Sequence, residues 1–254
     1  MRSRKLTLAL VGVLAAVASV AGGGVAQAVF PDFTGCTATV ESTTRCVDIQ
    51  NRTAAFRIKD FNIPLGESLE IRGMLTQDPN TGVTTFTPPR GTNGFFGRAV
   101  PVPGGIFGIE WLPGNSVLAI SELAGSSSAI RIEINDQSIR LPIKVRLVNV
   151  LLGMDCHIGN NSNPINLNLI TGTTSPPAPN RPITGRRGEI SFNGRALIFR
   201  GNVNVENSFA VPGATECGLG LGLINSLVNL RLRLPSAAGN NSMEIVNDVA
   251  LGLP

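Results

Sequence analysis

The sequence predicts an all-β protein: an antiparallel β-sandwich or barrel-like domain of about ten to twelve strands, with at most one or two short helices. Three observations carry this expectation. Residues 129–171 show strict period-two alternation broken only by turns. From Ala54 onward, turn residues recur at strand-like spacing. Only residues 219–230 place apolar side chains at helical intervals.

The alternation is clearest in the middle of the chain. Ile130, Ile132 and Ile134 interleave with Arg131, Glu133 and Asn135; after Asp136-Gln137, Ile139, Leu141, Ile143, Val145 and Leu147 interleave with Arg140, Pro142, Lys144 and Arg146. That is a hairpin with one apolar and one charged face, on which Glu133 is expected to pair across strands with the basic residues. A loop through Cys156 then leads into Ile165, Leu167 and Leu169, interleaved with Asn166 and Asn168.

The N-terminus reads as an export leader. Arg2, Arg4 and Lys5 precede an apolar core over residues 6–20, and Ala26-Gln27-Ala28 is a small-x-small cleavage site. The apolar run is short for a permanent membrane span. The division is therefore a signal peptide over residues 1–28 and one all-β domain over residues 29–254, secreted to the cell envelope or extracellular space, with no transmembrane segment in the mature protein. The full chain carries 21 Lys and Arg against 17 Asp and Glu; without the leader's three basic residues the balance is 18 to 17, a net charge of +1. No basic block remains, which argues against a nucleic-acid partner.

All four cysteines follow the leader. An even count in an exported chain points to two disulfides, with three possible connectivities. Cys36 with Cys46 is favoured because the short strand-like loop between them can fold back, and this leaves Cys156 with Cys217. On the chain-entropy account each closure contributes about 3 to 4 kcal/mol. A zinc site is poorly served by one histidine and no C-x-x-C pair. Phe33-Thr34-Gly35-Cys36 approximates a lipoprotein box, but it lies too far past the leader's apolar core, and lipidation would leave Cys46 without a nearby mate.

Outside the central segment, Phe56 and Ile58 are followed out of phase by Phe61 and Ile63, which suggests a bulge near Asp60. A strand over 69–75 faces 83–87 across a long turn. Residues 91–115 are rich in Gly and Pro yet apolar, so this loop is expected to be pinned to the core or to cover one end of it. A strand over 117–123 precedes the central hairpin. Residues 171–188 contain Ser175-Pro176-Pro177-Ala178-Pro179-Asn180-Arg181-Pro182 and are expected to run extended and exposed. Strands follow near 189–192 and 196–209, the latter broken around Gly201. After the helix over 219–230, residues 230–234 return to alternation, and a last strand spans 243–251.

The chemistry-bearing residues are sparse. His157 is the only histidine and no G-x-S-x-G surrounds any serine, so a Ser-His-Asp triad has little to draw on; His157 is expected to be an exposed loop residue. Glycoside hydrolysis needs only two carboxylates, for which Glu110 beside Trp111 is the best single candidate, although Trp111 is expected to pack and Glu110 to face solvent. Asn160, Asn161, Asn163, Asn166 and Asn168 could form a polar binding ribbon; turn formation with a solvated face is the simpler account. Sequons occur at Asn51, Asn160 and Asn240. A membrane barrel with apolar residues outward lacks its aromatic girdles, since the chain has one Trp and no Tyr. No cofactor or metal ligand set is visible.

Two stretches resemble a family of secreted actinobacterial proteins of unknown function. One runs from Leu151-Leu152-Gly153-Met154-Asp155-Cys156-His157 through Asn163-Pro164-Ile165 to Thr171-Gly172-Thr173-Thr174-Ser175-Pro176-Pro177. The other is Pro212-Gly213-Ala214-Thr215-Glu216-Cys217-Gly218, followed by Leu234-Pro235-Ser236-Ala237-Ala238-Gly239-Asn240. The resemblance covers roughly the C-terminal half and implies an exported protein, without catalytic residues to carry over; a cysteine in each stretch agrees with pairing Cys156 to Cys217. The sequence therefore points to a non-enzymatic binding or structural protein with an unknown envelope or extracellular ligand, and secondarily to a carboxylate-dependent glycan hydrolase.

Overall fold

A 15-residue strand, β1 (Thr44–Ile58), is the axis of the larger of two antiparallel sheets. The computed structural model describes residues 30–38, 43–109, 111–218 and 222–253. Residues 1–28, expected to be a leader, and Glu110 lie outside the described residues. After β1, Lys59 and Asp60 make a two-residue turn, with Lys59 at φ 54°, into β2 (Phe61–Pro64), which pairs back so that Ile58 faces Phe61. The phase change at Asp60 is thus a hairpin turn rather than a bulge.

β3 (Leu69–Gln77) pairs with the other half of β1, and takes both β4 (Thr84–Thr87) and β5 (Phe95–Gly97) on its far side. The chain then crosses to the second sheet: β6 (Val100–Pro101), β7 (Leu118–Leu123), β8 (Arg131–Glu133), β9 (Ser138–Val148), β10 (His157–Ile158) and β11 (Ile165–Leu169). The long strand β9 is its hub, pairing with β7, β8, β10 and β11. β12 (Glu189–Phe192) and β13 (Ala196–Glu206) return to the first sheet, β14 (Ala214–Thr215) joins the second, and helix α1 (Leu223–Leu232) precedes β15 (Asn241–Gly252). The strand order is β12-β13-β15-β1-β3-β4 in one sheet and β14-β10-β9-β7-β6 in the other.

The result is the expected all-β sandwich with one helix. Fifteen strands appear among the described residues instead of ten to twelve, because β5, β6, β10 and β14 have two or three residues each, too few for alternation to mark. Ile139, Leu141, Ile143, Leu167 and Leu169 face Ile49, Ile71, Met243 and Ile245 of the other sheet around a void of about 40 Å³. The apolar set of the central segment therefore points into a protein core, not out to lipid as in a membrane barrel. Both disulfides are formed, Cys36–Cys46 and Cys156–Cys217.

Two expectations change. α1 runs on through Arg231 and Leu232, and ends where Arg233 adopts the left-handed conformation and the Leu234 N–H closes on Asn229 O at 2.8 Å. The alternation over 230–234 is helix and cap, since five residues do not separate the two periods. The proline loop is mostly exposed but not loose. Ile170 and Arg186 bridge to Val205 and Val203 of β13, and Asn180 Nδ2 donates to Asn207 O and Asn241 O at 2.9 and 2.8 Å. It completes the edge of β13 where β12 ends.

Asparagines are buried inside the larger sheet. Asn51, Asn247 and Asn202 stand in register across β1, β15 and β13. Asn247 Nδ2 donates to Asn204 Oδ1 at 2.7 Å, Asn202 Nδ2 to Asn247 Oδ1 at 3.2 Å, and Asn51 Oδ1 accepts from Leu69 N at 2.7 Å. Replacing Asn247 by Leu leaves Asn204 Oδ1 and Asn202 Nδ2 without this partner. It is expected to lower stability by about 1 to 3 kcal/mol, read as a fall in the urea midpoint at unchanged slope.

Candidate functional site

The asparagine row coincides with two bulges. On β1, Arg52 is the extra residue between the pairs Asn51–Asn247 and Thr53–Val246; on β13, Arg200 and Gly201 stand against the single residue Asp248 between Phe199–Val249 and Asn202–Asn247. Gly201 sits at φ 69°, a conformation that suits glycine, so the break expected there is a bulge. An extra residue re-aims its side chain, and here both arginines reach one carboxylate on the outer face of the sheet. Asp248 Oδ2 accepts from Arg52 Nε at 2.8 Å and lies 3.5 Å from Arg200 Nη1; Asp248 Oδ1 accepts from Gly201 N at 2.8 Å. The Asp248 side chain is almost fully buried, whereas those of Arg52 and Arg200 are half exposed.

These residues form one wall of an outer-face basin of about 500 Å³, also lined by Gln50, Thr53, Glu67, Glu70, Arg98 and Phe30. That volume falls within the range of small-molecule sites. Its lining is polar, with three guanidinium and three carboxyl groups and the Phe30 ring 5.9 Å from the Arg200 Cζ.

Beside the basin, residues 30–36 run as a strap over the outer face. Phe30 and Phe33 pack on Ala196, Ile198 and Ala250, and the Cys36–Cys46 disulfide ties the strap's end to β1. The strap is fixed by charge as well. Asp32 N donates to Asp48 Oδ2 at 2.7 Å, Asp32 pairs with Arg72, and Arg72 stacks at 4.9 Å on Phe96. Asp48 is fully buried and its Oδ1 has no hydrogen-bond partner. Burial, with the nearby Glu70 carboxyl adding to it, pushes Asp48 up to about 8. Glu70 is also raised, by burial, against the pull of Arg98.

The second sheet carries a separate charge cluster. Glu122 on β7 accepts from Arg146 Nε at 2.6 Å and lies 3.7 Å from Lys144 Nζ and 3.5 Å from His157 Nε2. Burial raises the Glu122 carboxyl, but the Arg146 hydrogen bond and the surrounding cations outweigh it and hold the carboxyl below its ordinary value. The basic face thus pairs with Glu122, not Glu133, which lies opposite Ser138. His157 is not an exposed loop residue. It is in β10, mostly buried, with Nδ1 2.7 Å from Asp155 O. With Arg146, Lys144 and the His157 ring gathered on one carboxylate, this is a compensated charge cluster that fastens β7, β9 and β10 together.

The other sequence candidates do not converge on a site. Trp111 does not pack: it is 81% exposed. Glu110, its neighbour in sequence, lies outside the described residues. Asn160 Oδ1 accepts from Ser162 N and Asn163 N at 3.0 and 2.8 Å, and Asn168 Oδ1 from Arg140 Nε at 2.9 Å. These asparagines make turns and a solvated face, and Asn51 is buried behind its sequon. Among the described residues, no three His, Cys, Asp or Glu side chains gather as metal ligands, and no helix is long and apolar enough to cross a membrane. Sequence reasoning missed Arg52, Arg200 and Asp248; the one available signal was the break at Gly201. Comparison with known proteins returns nothing: no family model, no curated protein and no solved structure matches the chain.

Between the unfolded value near 4 and the folded value of about 8, the folded chain keeps an Asp48 proton that the unfolded chain has lost. Stability is therefore full below about pH 4 as far as Asp48 is concerned, falls by at most about 1.4 kcal/mol per unit as pH rises, and levels off above about pH 8. Asp48→Asn keeps an acceptor for Asp32 N and cannot ionise. It is expected to flatten that slope and raise the melting temperature at pH 8, as measured by circular dichroism across pH 5 to 9.

Proposed function

We propose that this is an exported, non-enzymatic protein of the cell envelope or extracellular space that binds a ligand in the outer-face basin. The observation carrying this reading is the pair of bulges that bring Arg52 and Arg200 to Asp248 at the wall of a 500 Å³ hollow. Bulges conserve neither the ladder nor the local pairing, and they recur where a side chain has to be re-aimed. Half-exposed guanidinium groups held by a buried carboxylate are oriented without being used up, so they can still donate to an anionic or hydroxyl-rich group. Export is supported by the N-terminal leader, by two disulfides in a chain without free cysteines among the described residues, and by the resemblance to secreted actinobacterial proteins.

Screening the mature protein by isotope-edited NMR against envelope saccharides and carboxylate- or phosphate-bearing small molecules is expected to shift the amides of Gln50–Thr53 and Gly201. Arg52→Ala with Arg200→Ala is expected to weaken that ligand at least about tenfold. Shifts confined to other surfaces, or an affinity unchanged in the double variant, overturn the assignment.

One observation favours a second reading, a hydrolase acting on a glycan. Glu70, with its carboxyl raised by burial, lines the same basin as Asp248, and carboxyl groups in contrasting environments serve as acid and nucleophile or base in glycosidases. Release of reducing ends from envelope glycans that is lost in both Glu70→Gln and Asp248→Asn supports this reading; a ligand that is bound and recovered intact excludes it.

A further inference from the structure

Two loops at one end of the sandwich expose large apolar side chains. Residues 103–116 present Phe107, Ile109 and Trp111, and residues 149–155 present Val150, Leu151 and Met154; Val150 is 90% and Met154 79% exposed. The loops are fastened to each other, because Asn149 Nδ2 donates to Gly114 O and Ser116 O at 2.9 and 2.7 Å. They flank helix α1: Arg231 Nη2 reaches Pro103 O at 3.1 Å, and Gly218 N, just before the helix, donates to Leu152 O at 2.8 Å. We infer that this end of the molecule seats its two apolar loops in the interfacial layer of an electroneutral lipid surface.

Three properties select that partner. The first is charge. Residues 99–121 contain one charged side chain, Glu110, and residues 147–154 contain none. Arg231, the basic side chain that reaches these loops, is held by Pro103 O at 3.1 Å and by the Phe61 ring at 4.9 Å, and apolar tips with no basic group of their own complement a zwitterionic or uncharged layer.

The second is the backbone. Peptide groups entering an apolar layer favour internal partners, and two asparagines supply several of them in these loops. Buried Asn115 accepts from Phe107 N at 2.7 Å and donates to Gly104 O and Ile109 O at 2.8 and 2.5 Å. Asn149 Oδ1 accepts from Leu151 N at 2.7 Å, and its backbone carbonyl accepts from Leu152 N at 3.0 Å. Leu112 N and Asn115 N close the turns on Ile109 O and Leu112 O at 3.3 and 3.1 Å.

The third is shape. Side chains exposed to this degree stand on tips, not in a groove. The largest described hollow of this chain, the outer-face basin, is polar and offers a second copy no apolar socket. A tryptophan among aliphatic residues at a tip suits the headgroup boundary, where an apolar ring with one donor is at home. The inference goes beyond the basin and does not depend on a ligand there.

Trp111 is the only tryptophan in the chain, so it reports on its own environment. The mature protein is mixed with phosphatidylcholine vesicles and with vesicles containing one part in three phosphatidylglycerol, and followed by flotation and Trp emission. The expected result is co-flotation with a blue shift on phosphatidylcholine alone, little changed by anionic lipid or salt. Val150→Asp with Met154→Asp, in exposed positions that leave the core intact, is expected to weaken binding at least about tenfold at an unchanged melting temperature. No blue shift on phosphatidylcholine, binding only to the anionic vesicles, or a blue shift without lipid that tracks dimer formation in sedimentation would each overturn the inference.

Discussion

An asparagine buried in a sheet carries two donor hydrogens and an acceptor oxygen that water cannot reach, so its neighbours must be placed to meet them. This sandwich has three in one row, Asn51, Asn247 and Asn202, and the row sits where β1 and β13 each take in one extra residue against β15. The arrangement is mutually determined. Asn202 Oδ1 receives Gly188 N at 2.7 Å from the chain entering β12, Asn204 Nδ2 reaches Gln137 O at 2.7 Å in the other sheet's hairpin, and Asn51 holds the start of β3. One line of polar side chains thereby sets the register of the central strands, joins the two sheets and dictates where the bulges fall. The guanidinium groups around Asp248 owe their direction to it.

The outer face of the same sheet is made into interior by residues that precede the first strand. A sheet in a two-layer sandwich normally leaves its outer face to water, and here Cys46, Asp48 and Gln50 alternate with Val47 and Ile49 as that rule requires. The strap then covers part of the polar set, so β1 over 46–49 is buried on both sides. Asp48 is the outcome: a carboxyl chosen for a polar face, enclosed beside Glu70 and retained in neutral form. The strap ends at Cys46 through its disulfide and begins with Phe30 at the edge of the basin, so it forms one boundary of the hollow as well as a cover.

What the sequence discloses follows from which faces meet water. β8, β9 and β11 have one wet and one dry face, so alternation marks their apolar residues, and all of Ile139, Leu141, Ile143, Val145 and Leu147 lie in the core. The cysteine pairing is legible for a similar reason, as the spacing 36 to 46 permits a local closure. β1 before Ala54 is not legible, because Asp48, Gln50, Asn51 and Arg52 look like a loop until the strap and the asparagine row account for them. The basin is hidden altogether: Arg52, Arg200 and Asp248 are far apart in the chain, and only two strand irregularities bring them together. Trp111 and His157 invert the usual expectation, one an aromatic residue left in solvent, the other a loop-like histidine drawn into a ladder beside Glu122.

The central pairing of the larger sheet joins the chain's extremes. Cys46 lies opposite Gly252 and Ile58 opposite Asn241, in the longest ladder of the molecule. Closing a loop of some two hundred residues has a high entropic cost before any contact offsets it, and topologies dominated by such pairings assemble slowly. More specifically, β1 and β13 both take β15 as a neighbour, so each lacks that partner until β15 is present. Neither the bulges nor the asparagine row can form before β15 joins the sheet. The larger sheet therefore closes as a whole, and the basin walled by Arg52, Arg200 and Asp248 comes into being in the same step.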